Sequence, residues 1–146
     1  VAFSDTAIIA AIGAHLRAKT PPTGQTLKVV YDYPPESLGA LPAIVIFPGS
    51  DAQRFNGGGR IITLNVSAIL YLPAVEFARQ YQTIATWRTW MRDTLIDAVL
   101  LNSTDGVAQA SVTGTAVDST DYGDATMITV TATMEIVGAE SISPSA

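Results

Sequence analysis

Cysteine is absent from this chain of 146 residues, which excludes disulfides, thiolate nucleophiles and cysteine-held metals. Charge is scarce: 14% of residues are ionised side chains, against about 25% in an ordinary soluble domain. Threonine and alanine occupy many positions that Lys and Glu would otherwise fill, leaving a surface weakly defended against association. Basic residues disappear after Arg92, and eight acidic residues follow it. The net charge of -5 argues against sequence-independent wrapping of nucleic acid, which needs a lysine and arginine footprint. No apolar run is long enough to span a bilayer. A basic head followed by an apolar signal core is also missing. The start at Val1 fits removal of an initiator methionine, and the expectation is intracellular synthesis without a membrane.

What is present reads as one domain with a substantial core, burying roughly 68–70% of the unfolded chain's surface. All eight basic residues lie between Arg17 and Arg92, and the first 92 residues hold five acidic ones. A subunit with one basic and one acidic surface can pair head to tail. Asp5–Lys19 has the spacing of a helix, with Ile8, Ile12 and Leu16 on one stripe and Ile9 widening it. Ser4 or Asp5 can accept the orphan amides at its start, and Thr20-Pro21-Pro22 stops it.

Short strands are expected at Leu27–Tyr31 and Ala43–Phe47, separated by Pro34-Pro35 and a linker at Glu36–Leu41. Pro48-Gly49 should end the second. Arg60–Leu72 is the longest strand: Ile62, Leu64, Val66, Ala68, Leu70 and Leu72 face one way, Thr63, Asn65, Ser67 and Tyr71 the other. A helix follows Pro73 and runs to about Leu101, burying Ile84, Trp87, Met91, Leu95 and Ala98, with Trp90 and Val99 at its margins. After a turn at Asn102–Val107, Ser111–Val117 and Thr126–Val137 read as an antiparallel pair across Asp118–Ala125. The fold class expected is α+β, a two-layer sandwich of two helices on a mostly antiparallel sheet in the order αβββαββ. It occupies residues 1–137, with a C-terminal arm at 138–146.

Catalytic and ligand-binding patterns fail on inspection. The connector GSDAQRFNGGGR lacks the Gly-Lys-Ser/Thr ending of a phosphate loop, and a strand instead of a helix follows it. Its glycines suit a mobile hairpin tip. Gly49-Ser50 is not embedded in a nucleophile elbow. The lone histidine, His15, has no sequence-level pairing to Ser50 and is expected at the polar edge of its helix. Asp32 with Glu36, and Asp118 with Asp121 and Asp124, are the remaining acid groups. Turn formation accounts for the latter three, whose spacing is not that of an EF-hand. No catalytic, cofactor or metal residues are assigned.

Four runs carry a resemblance: YDYPPESLGALPAIVIFPG, RIITLNVSAILYL, the tryptophan-bearing helix before LLNSTDG, and YGDATMITVTATMEIV. In their order and local phrasing they resemble the tail terminator or tail-completion proteins of long-tailed bacteriophages. The resemblance covers most of Leu27–Val137 and rests on no invariant catalytic motif. It implies a non-enzymatic virion protein made in the host cytoplasm and located at the neck of the tail. As a homo-oligomer, a hexameric ring, it would end tail-tube polymerisation and present a surface to the head connector. Its partners would be the tail-tube protein and a connector or neck protein, with DNA passing transiently through the lumen. Carried onto this chain, the resemblance implies that Asp51, Arg54, Phe55, Asn56, Gly57, Gly58, Gly59 and Arg60 would form an interface or lumen loop. The edge of Arg60–Leu72 would meet a neighbour, with Tyr71 and Trp90 as expected subunit contacts, and the tail around Pro144 would be a terminal arm ordered on assembly. The rival readings are a head–tail connector, a polymerising tube subunit, and a small ligand-binding or hydrolytic enzyme.

Overall fold

The computed structural model describes residues 4–22, 25–36, 38, 40–73, 77–96, 107–122 and 125–141. Its elements are α1 (Asp5–Ala18), β1 (Val29–Tyr31), β2 (Ala43–Asn56), β3 (Gly59–Pro73), α2 (Phe77–Ile96), β4 (Val107–Tyr122) and β5 (Ala125–Ser141). The five strands form one sheet in the order β1-β2-β3-β5-β4. Only β1 runs parallel to its neighbour; the other three pairings are antiparallel. The α+β class and the order αβββαββ therefore hold.

Both helices lie on one face of the sheet. Ser4 caps α1 by accepting the Ala7 amide at 3.3 Å, and Lys19 leaves the helix in an extended conformation ahead of the two prolines. The stripe Ile8, Ile12 and Leu16 meets Ile44 and Ile46 of β2. Ile84, Trp87, Met91 and Leu95 of α2 close over Val130, Ala132, Met134 and Ile136 of β5, and all belong to one buried cluster with alternate residues of β3. Alternation along β3 puts Ile62 to Leu72 inward at every second residue, as a strand's two-residue period requires. Full burial of a side chain of this size contributes about 1.5–3 kcal/mol.

The two helices are also stitched by polar contacts. His15 is only 4% exposed, and its Nε2 donates to the Thr94 carbonyl at 2.7 Å. That carbonyl lies in the last turn of α2, where intrahelical donors run out. The expectation of a surface histidine is thus corrected: the helical stripe is wide enough to include it, and α2 supplies its acceptor. Trp90 Nε1 donates to the Thr20 carbonyl at 2.7 Å, and its ring packs edge-on to Trp87. Arg17 spans from α1 to the Val30 carbonyl at 2.9 Å and to Asp32 at 2.8 Å.

Several strands outrun their expected limits. β2 passes through Pro48-Gly49 instead of ending there. Its register with β3 moves from Pro48↔Val66 to Asp51↔Leu64, so one extra residue is accommodated as a bulge. Proline is tolerated because this flank of β2 lies beyond the three residues paired with β1, and an edge position does not need its missing donor. Asn65 Nδ2 reaches the Ser50 carbonyl and hydroxyl oxygens, each at 3.4 Å. β4 continues to Tyr122 and β5 begins at Ala125, so Asp118 and Asp121 are strand residues. Cross-strand pairing captures Asp121, whose Oδ1 accepts from Thr126 at 2.8 Å. β5 runs on past Val137, and Gly138–Ser141 pair with Gly59–Ile62, so the arm does not start at residue 138. The helix stretch 97–101, the turn at 102–106, Asp124 and residues 142–146, including Pro144, lie outside the described residues.

Candidate assembly surface

The connector between the two central strands is a paired hairpin. Asp51–Asn56 run in unbroken register against Gly59–Leu64, leaving Gly57 and Gly58 as a two-residue turn. Gly57 has φ +58°, and Gly58 stays outside the positive-φ region. Positive φ at the first central residue alone is the type II′ pattern, whose twist matches that of the flanking strands. Asn-Gly-Gly between alternating residues is a sequence signal for such a hairpin, and the hairpin expected of this connector is present, paired up to the two glycines of its turn.

Pairing sorts the hairpin's side chains between the two faces. Arg54 lies opposite Ile61, on the face away from the helices. Asp51 and Phe55, opposite the inward residue Leu64 and Arg60, lie on the helix side. Asp51, Arg54, Phe55, Gly57 and Gly58 are exposed, while Gly59 and Arg60 are half-buried. Phe55, at 69% exposure, is the extreme. Arg60 is braced by Gln53, donating to its Oε1 at 2.9 Å. Asn56 is described in its backbone alone and pairs with Gly59. The sheet thus brings the eight expected hairpin residues together on one paired ribbon, flanked by β5 along its β3 strand.

The other expected contacts fall elsewhere. β3 is hydrogen-bonded to β2 on one side and β5 on the other, so the long strand Arg60–Leu72 has no free edge to offer a neighbour. Tyr71 is 4% exposed and packs with Val45 and Met127, over which Leu38, Leu41 and Phe47 close. It is a core residue of the second face and not a subunit contact. Alternation assigned its face correctly, but it carries no information about the segment that folds over that face. Trp90 is half-buried and committed to Thr20, retaining a partly accessible ring.

The free edges are at the two margins of the sheet. Among the described residues, β2 beyond Val45 has no strand on its outer side, and neither does β4 along its length. Two register shifts interrupt β4 before Gly114, after which its pairing with β5 is regular to Tyr122. Beside this regular edge, Tyr81, Ile84, Ala85 and Arg88 of α2 and Val117 of β4 line a groove of about 240 Å3. Arg88 fixes the helix there, donating to the Thr115 hydroxyl at 2.8 Å and carbonyl at 3.2 Å.

Between these edges the face away from the helices carries Thr63, Asn65, Ser67, Thr131, Thr133 and Glu135. No helix among the described residues covers it, and their exposure is intermediate. Among the described residues no His, Asp and Glu side chains cluster as a metal site, and no helix is long and apolar enough to cross a membrane. Compared with protein-family models and with curated proteins, the chain matches none.

Proposed function

We propose that this protein is a structural subunit of a phage virion, forming a hexameric ring at the head-proximal end of the tail. There it ends tail-tube polymerisation and offers a surface to the head connector. One observation carries the reading: among the described residues, β2 beyond Val45 and β4 have no strand on their outer sides, while the β2–β3 hairpin carries an exposed phenylalanine and arginine. Unpaired strand edges are templates for pairing with another chain. A subunit with two different edges associates head to tail, and such contacts close into a ring when the rotation between copies permits.

The mechanism is stoichiometric. Ring closure occupies the tube's growing end and replaces it with a surface that does not propagate. The threonine-rich face turns to the lumen in this arrangement and the helices lie outside. Its few charges, and the acidic balance of the chain, let DNA pass without capture, because retention needs clustered cations. Native mass spectrometry with negative-stain imaging of the purified chain tests the proposal. Closed rings of six copies are expected. Cylinders of indefinite length would favour a tube subunit, and a monomer persisting at high concentration would sink the ring reading.

A further inference from the structure

The two open edges are complementary in direction, charge and shape. Along the sheet β2, β3, β5 and β4 alternate in direction, so β4 runs antiparallel to β2. Rotation about an axis along the strands preserves direction. The β2 flank of one copy therefore meets the β4 edge of the next as an antiparallel pair, with both sets of helices on the same side. Face parity then limits the register. Arg54 lies on the face away from the helices. On the regular stretch of β4, Asp118, paired with Thr129, is the carboxylate on that same face. Both are exposed.

Placing Arg54 opposite Asp118 sets Phe55 opposite Val117. Phe55 lies on the helix side, and Val117 there borders the groove beneath α2. One register thus satisfies two independent features, a cation against a carboxylate on one face and an exposed aromatic beside an apolar groove on the other. Arg88 at the groove's rim also offers a guanidinium to the ring face. The ladder ends naturally, since its next step would bring Asp51 against Asp121.

We propose that copies of this chain join head to tail by continuing the sheet. Ala52–Asn56 of one copy pairs antiparallel with Ala116–Thr120 of the next, Arg54 meets Asp118, and Phe55 seats in the groove formed by Tyr81, Ile84, Ala85, Arg88 and Val117. This inference rests on the ring reading and names the contact that builds the ring.

The cysteine-free sequence allows a direct test. Ala52 and Thr120 are opposed in this register, and both are exposed. Opposed strand residues stand about 4.5–5.5 Å apart, inside the disulfide range of roughly 4.4–6.8 Å. Oxidation of the double variant A52C/T120C is expected to give a ladder of covalent oligomers ending at the ring. The displaced pair A52C/A116C should give none. R54E, D118R and F55A are each expected to weaken self-association by about tenfold or more, and R54E/D118R to recover most of the loss. Oligomers of unchanged mass that neither crosslink through A52C/T120C nor respond to R54E would overturn this contact while leaving the ring reading in place. A wild-type chain that stays monomeric at every concentration would overturn both.

Discussion

At Gly49 a side chain would run into backbone, which cannot swing aside as a flexible side chain can. An added Cβ would lie 2.9 Å from the backbone carbonyl oxygen of Asn65, and a carbonyl held in the ladder cannot rotate away. Gly49→Ala must push β2 from β3 at the bulge, costing about 1–3 kcal/mol as overpacking does. At Gly57 nothing crowds a Cβ, and the penalty comes from φ +58° alone; alanine there costs about 1–2 kcal/mol. Gly58→Ala, in open space and without positive φ, should be close to neutral. Thermal unfolding followed by circular dichroism ranks the three, each kcal/mol moving the midpoint by roughly 2–4 °C in a domain of this size. A melt of Gly49→Ala equal to that of Gly58→Ala would show that the bulge is not constrained as described. The residues that alternation exposes to view, such as Leu64 and Met134, were legible because inward placement follows from period alone. His15 and Tyr71 were not, because their burial depends on α2 and on the segment 38–47, which approach from elsewhere in the chain.

The hairpin tip Phe55–Arg60 shows how an element can be held by strand pairing without contributing to the core. Its distal pairs, Phe55↔Arg60 and Asn56↔Gly59, can be removed by deleting Phe55, Asn56, Gly59 and Arg60. The Gly57-Gly58 turn then sits on Arg54 and Ile61, with the alternation of both strands preserved. The shortened protein is expected to keep its far-ultraviolet spectrum and to melt within a few degrees of the parent, because no member of the main buried cluster is lost. Self-association measured by analytical ultracentrifugation should fall to monomer. Collapse of the spectrum would instead make the ribbon a structural element. Strand identity was readable along β3 and β5, where polar residues (Thr63, Asn65 and Ser67; Thr129, Thr131, Thr133 and Glu135) alternate with aliphatic ones. The extent of β2 was not, since Pro48-Gly49 has the local chemistry of a stop. An edge position and a bulge remove the two reasons proline would break a strand. The aspartates of β4 misled in the same way, being turn formers held in extended backbone by pairing with β5.

At the scale of the whole molecule, head-to-tail assembly has a consequence that a two-fold dimer built on one self-complementary patch does not share. Each copy presents Arg54 at one margin and Asp118 at the other. R54E keeps a normal β4 edge but repels through its β2 flank, and D118R keeps a normal β2 flank but repels through β4. Each variant alone faces like charge at every contact and is expected to remain monomeric. Mixed in equal amounts, the two can alternate around a ring. Arg54 of the D118R copy meets Asp118 of the R54E copy, and the introduced glutamate of the latter meets the introduced arginine of the former. Every contact then carries opposite charges, and only an even number of copies closes. Native mass spectrometry of the mixture should show six-membered rings with three copies of each variant, resolved by their mass difference. Because both contacts lie on exposed strand edges, raising the salt concentration should weaken the mixed and wild-type rings in parallel. A mixture that stays monomeric while the wild type forms rings would mean that the two margins do not meet through these residues. Rings of random composition would mean that the charges do not select the register.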